Sequence, residues 1–213
     1  WVKRLEGLSD AEGRGLFAPY VIDGARWIRD NRTQYGLLPS GWSAEHIGDK
    51  DKPHYWDDFW GLAGLWEAAR LAQRLGLPQA EEIWRAYDSL RDATRDSIRW
   101  VLTEQWQRGH WETFIPTGPG DVGRLDSTIV GALCYFHPCR LYDGAKLGAD
   151  IDLAARLTLD TIWGHFLDGG GIGRIGKEPL DRTVELARRL AFRQDRIGHS
   201  VQRCQARVAS RPL

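Results

Sequence analysis

The chain has 213 residues, 42% of them hydrophobic and 27% charged, and its 29 Lys+Arg balance its 29 Asp+Glu. Those proportions are ordinary for a globular chain. No run approaches the roughly 18 apolar residues of a membrane span. No basic segment leading into an apolar core marks a secretory signal, which favours the cytoplasm, and three Cys, an odd number, speak against a disulfide framework.

In chain order, Phe17, Tyr20, Val21, Gly24, Trp27 and Ile28 recur at three- and four-residue steps and predict a helix over 16–32. Residues 55–75 continue helically but are apolar nearly all round until Glu67. Pro78 opens a third helix over 79–107, where Ile83, Tyr87, Leu90, Ile98, Val101 and Leu102 form one stripe opposite Arg and Asp. Residues 125–142 are again apolar on most sides and are expected to be a helix kinked at Pro138. A fifth, amphipathic helix runs over 150–165 through Leu153, Leu157 and Ile162. No segment alternates with the period of two expected of a half-buried strand, so the fold class is all-α.

Helices with one apolar stripe belong outside and helices apolar all round belong inside. Short turns join the second helix to the third and the fourth to the fifth, at Gly76–Pro78 and Asp143–Ala149. Long loops over 33–54, 108–124 and 166–178 make the other connections. With antiparallel neighbours those long loops share one face. Outer helix, long loop, inner helix, short turn is the plan of an αα-hairpin toroid, here with about three hairpins.

The plan breaks near residue 169. Residues 1–168 carry a net charge of −6 and all 11 Trp and 6 Tyr, whereas 169–213 carry +6 and only Phe192 among aromatics. A stripe at Leu186, Leu190, Ile197, Val201, Cys204 and Val208 permits a basic amphipathic helix in this tail. The sequence thus divides into a body, 1–168, and a basic, aromatic-poor helical tail, 169–213, of uncertain origin. The tail's basic residues lack interleaved aromatics, so nucleic acid is not expected as a partner.

The first long loop leads into His54-Tyr-Trp-Asp-Asp-Phe-Trp60. A carboxyl group among aromatic rings is partly desolvated, which raises its pKa toward what a general acid needs. Asp57 and Asp58 are therefore candidate acids, with helix capping as the alternative role. Tyr55, Trp56, Trp60 and Trp42 are candidate stacking surfaces for sugar rings. Glu45 and His46 are placed to bind sugar hydroxyls or to hold the loop. The second long loop offers His110, Trp111, Glu112, Arg124 and Asp126. Glu112 is the best second carboxylate, as inverting hydrolysis needs a base opposite the acid. Asp126 also stands where it can cap a helix, and Arg124 where it can pair with Asp121 or Asp126.

Gly171-Ile-Gly173-Arg-Ile-Gly176 matches a dinucleotide fingerprint as a string but follows a helix, so no nucleotide cofactor is expected. Cys134, His137 and Cys139 lie close together without a second ligand pair, which argues for buried thiols over a metal site.

With these residues in view, the body resembles the six-hairpin glycosidases, the (α/α)6 toroids of glucoamylase-like, trehalase-like and glucosidase I-like enzymes. The resemblance rests on Gly36–Leu65, above all His54–Trp60, and more loosely on Gly109–Pro138. It implies a partial catalytic domain of an inverting glycoside hydrolase acting on α-linked gluco- or related oligosaccharides. On that match Asp57 is the favoured acid and Asp58 the second, and no cofactor or metal is needed; the base of such enzymes usually lies in a later hairpin, so the assignment of Glu112 rests on its own loop and not on the match. About three of six hairpins are present, so weak or no turnover is expected of this chain, with self-association through unpaired helical faces. The alternatives are a sugar epimerase or isomerase on an αα toroid, working through His46, His54 or His110, and a non-catalytic helical repeat module.

Overall fold

The computed structural model describes residues 10–41, 51–110, 112–125, 133–143 and 146–169, and all statements about structure concern these. Five helices follow one another, α1 (Asp10–Leu16), α2 (Ala18–Asp30), α3 (Tyr55–Arg74), α4 (Ala80–Gln107) and α5 (Ala149–Gly169), and no strand occurs among the described residues. The fold is all-α. The expected tail helix over 179–211 lies outside the described residues.

Local chemistry sets the boundaries. Pro19 stands in the first turn of α2, where its missing N–H costs no helical bond. At the other end the Asn31 backbone and side-chain nitrogens both donate to the Trp27 carbonyl. Asp57 in the first turn of α3, and Glu81 and Glu82 in that of α4, oppose the positive ends of those helices. Gly76, at φ +63°, lets the chain turn after α3, and Leu77 N–H reaches back to the Ala72 carbonyl. Pro78 then prevents α3 from continuing.

The five-residue turn makes α3 and α4 an antiparallel hairpin. Tyr55 Oη meets Ser97 Oγ at 2.8 Å near one end, and Trp66 packs edge-on against Trp84, with centroids 5.1 Å apart, near the other. Leu62, Leu65 and Ala69 of α3 and Ile83, Leu90, Ile98 and Val101 of α4 form the core between them, joined by Ile151, Ala154 and Leu157 of α5. Each large side chain so buried contributes roughly 1.5–3 kcal/mol. Helix α2 crosses onto the pair. Arg26 and Arg29 bind Glu82, and Arg32 Nη2 donates to Ser89 Oγ at 3.0 Å. Helix α5 is fixed to α4 by a two-pronged bridge, Arg99 Nε and Nη2 to the Asp150 carboxylate at 2.7 and 3.0 Å.

Two expectations change. Helix α3 is not enclosed on every side, because Trp60, Gly64, Glu67 and Arg70 form an exposed edge along it. The segment expected to be a kinked helix over 125–142 is, in its described part, a single 3₁₀ turn at 133–135 followed by turns through Asp143. Pro138 brings no N–H to a helical ladder and restricts His137, and the His137–Pro138 peptide is cis. Local bonds satisfy the backbone instead, with Cys139 N–H to the Cys134 carbonyl at 3.1 Å and Leu141 N–H to that of Tyr135 at 2.8 Å. Composition alone made the segment look like a buried helix. Burial is indeed what it achieves, since Cys134, Tyr135, Cys139 and Leu141 are all in the core.

Candidate functional site

The two long loops meet at the N-terminal end of α3. Tyr55 N–H donates to the Thr117 carbonyl at 2.8 Å, and Lys52 Nζ reaches Asp121 Oδ1 at 3.1 Å. A Cβ on Gly118 would lie 2.0 Å from the Pro53 carbonyl oxygen, so the two backbones touch where only glycine fits. Gly118→Ala is expected to destabilise the chain by about 2 kcal/mol, as overpacking does. A urea-unfolding midpoint unchanged from the parent would refute the contact.

From this junction the second loop runs back to α5. Ile115 N–H donates to Thr158 Oγ1 at 2.8 Å, the Thr113 carbonyl accepts from Thr161 Oγ1 at 3.3 Å, and Gln105 Nε2 donates to the Phe114 carbonyl. Glu112 is exposed at the start of this strap. Thr117 follows it five positions along the chain, a reach of up to about 18 Å. His110 is exposed and covers Gly123, whose Cβ would meet His110 Nε2 at 2.2 Å. Arg124, exposed, reaches Asp121 Oδ1 at 3.3 Å, so Asp121 takes both Lys52 and Arg124. The Arg124–Asp121 pairing is one of the two expected from sequence. Lys52, by contrast, was missed as Asp121's other partner, because 69 residues separate them and no local pattern couples them.

The Asp-Asp pair is divided by the helix. Asp58 is fully buried, and its Oδ1 accepts from Leu38 N–H at 2.8 Å, tying the first long loop to α3. Burial pushes its carboxyl up to about 8. The Leu38 hydrogen bond and the Arg32 charge pull the other way, and the Asp57 charge adds to the rise. A carboxyl group with no exposed surface touches no substrate, so Asp58 positions the 33–41 loop. Asp57, one residue earlier and turned away from the core, is half-buried. Trp60, three residues on, lies on the same side of the helix as Asp57 and is 44% exposed, and its ring lies 6.1 Å from that of Trp56, which is partly buried against the core.

The other candidates fall out differently. Tyr55 is a core residue, fully buried, with its hydroxyl on Ser97, and it offers a sugar no surface. His54 is 2% exposed with neither ring nitrogen hydrogen-bonded. Trp42, Glu45, His46, Trp111 and Asp126 lie outside the described residues. Among the described residues no group of three His, Cys, Asp or Glu is placed to hold a metal ion, and no helix is long and apolar enough to cross a membrane. Compared with protein-family models, curated proteins and solved structures, the chain shows no match.

Proposed function

We propose that the chain is a catalytic module of an inverting glycoside hydrolase acting on α-linked gluco-oligosaccharides, and that the α3–α4 hairpin is one unit of an (α/α)6-like toroid. The observation that carries this reading is Asp57 and the exposed Trp60 on one side of α3, at the end where the two long loops join. A carboxyl group beside an exposed indole ring suits a neutral, ring-shaped ligand. The ring stacks on the apolar face of a sugar, and the acid lies within reach of a glycosidic oxygen. In this reading Asp57 protonates the leaving oxygen. Glu112, on the strap that ends at Thr117, activates water from the opposite side of the ring. Asp58 holds Leu38, and thereby the first loop, in register with Asp57.

Titration of tryptophan emission with maltose and trehalose tests the binding half of the proposal. A saturable change that Trp60→Ala abolishes is expected, and emission that stays flat for both sugars overturns it. For hydrolysis, the weak turnover of a gluco-oligosaccharide expected of a three-hairpin chain is expected to fall by about 10²- to 10⁴-fold in Asp57→Asn, the usual contribution of a general acid. Turnover left within twofold of the parent would remove Asp57 from that role.

A further inference from the structure

Cys134 and Cys139 are both free and buried, at 2% and 5% exposure, in the turn that replaces the expected fourth helix. Their backbones are locked together, because Cys139 N–H donates to the Cys134 carbonyl at 3.1 Å. Bond lengths then hold the two Cα atoms within about 7 Å, the span that a disulfide bridges with roughly 4.4–6.8 Å between Cα atoms. The side chains also meet, with the Cys134 thiol hydrogen-bonded to Cys139. Cys139 is flanked on its surface side by exposed Pro138 and Arg140. The Lys146 ammonium, held 4.6 Å above the Trp66 ring, contributes positive charge to its surroundings.

We propose that Cys134 and Cys139 form a redox pair that a hydroperoxide closes to an intrachain disulfide, with Cys139 reacting first. The assignment of order follows from the contacts. The Cys134 hydrogen bond, followed by the Lys146 charge, holds the Cys139 thiol below its ordinary range against the opposing effect of burial, and the thiolate is the nucleophile. The Cys139 thiolate attacks one peroxide oxygen and the O–O bond breaks. The departing oxygen takes a proton and leaves as water or an alcohol, and Cys139 becomes a sulfenic acid. The Cys134 sulfur then attacks the Cys139 sulfur, the S–O bond breaks and water leaves. Two thiols lose two electrons in all, and the peroxide gains them.

The whole chain provides its own reference, because Cys204 is the third thiol and tryptic peptide 125–140 carries Cys134 and Cys139 together. The folded protein is treated with hydrogen peroxide, quenched with catalase, denatured, alkylated with N-ethylmaleimide and digested. Loss of two of the three alkylatable thiols is expected, with peptide 125–140 two hydrogens lighter and dithiothreitol restoring it. In Cys134→Ser, dimedone is expected to label position 139. In Cys139→Ser, label at position 134 is expected to be at least tenfold lower. Peptide 125–140 recovered fully alkylated overturns the proposal in the parent protein, whatever the variants do. So does a disulfide from either residue to Cys204. Equal dimedone labelling in the two variants overturns the order of reaction.

Discussion

Phe59→Ala is expected to lower the free energy of unfolding by about 4 kcal/mol, within the range for deleting a large aromatic from a packed core. Phe59 is fully buried and stacks on Tyr55 with centroids 6.2 Å apart. It also meets the Tyr135 ring edge-on at 5.4 Å. It therefore joins α3 to the 133–143 segment, which Tyr135 in turn fixes to α5 through a hydrogen bond from its hydroxyl to Asp152. Alanine removes the ring, leaves a void between two fully buried neighbours, Tyr55 and Tyr135, and forfeits about 0.5–1.5 kcal/mol for each aromatic pair beyond its area. Chemical denaturation followed by circular dichroism measures the difference. A loss under about 1 kcal/mol, the range of a surface substitution rather than a core one, would mean that the 133–143 segment does not pack on α3. The loss is expected to be accompanied by weaker protection of the segment in hydrogen exchange, since Leu141 N–H and Cys139 N–H bond only within it.

The helices that sequence periodicity marks most plainly are those whose ends carry specific chemistry. Pro78 and Gly76 bound the α3–α4 turn, and the stripe from Ile83 to Leu102 is the buried face of α4. The 125–142 segment departs from its expected helix for a physical reason. An apolar run has no polar face to reveal its period, so a buried helix and a buried set of turns look alike until Pro138 is weighed more heavily. The candidate acid pair shows a second limit. Adjacent residues on a helix differ by about 100° in direction, so one of Asp57 and Asp58 had to face inward. Which one depends on where α4 and the 33–41 loop lie, and neither is encoded near residue 57. Tyr55 shows the same ambiguity, since an aromatic beside a carboxylate reads as a sugar platform or as core. Its hydroxyl on Ser97, 42 residues away, makes it core. The Lys52–Asp121 and Gly118–Pro53 contacts, which bring the loops together, are likewise long-range.

Asp58 gives the chain a pH dependence of stability with a definite sign. Its carboxyl is raised by burial to about 8 in the folded protein, against about 3.9 in an unfolded chain. The folded state thus holds the proton more tightly, and between those two values it binds more protons than the unfolded state. The free energy of unfolding is fully supported by the neutral acid below about pH 4, falls as pH rises through about 8, and then levels off. The total change is on the order of 5 kcal/mol, comparable to the whole stability of many domains, roughly 5–15 kcal/mol. Asp58→Asn keeps an acceptor for Leu38 N–H and carries no proton to lose, so the variant is expected to lack this slope. Urea unfolding of parent and variant at pH 5, 7 and 9 isolates the contribution, because Asp152, also raised by burial, is common to both. The variant's advantage over the parent is expected to grow from pH 5 to about pH 8 and to level off by pH 9. Parallel pH profiles would show that Asp58 ionises in the folded chain as it does in water, and that the first loop does not seal it from solvent.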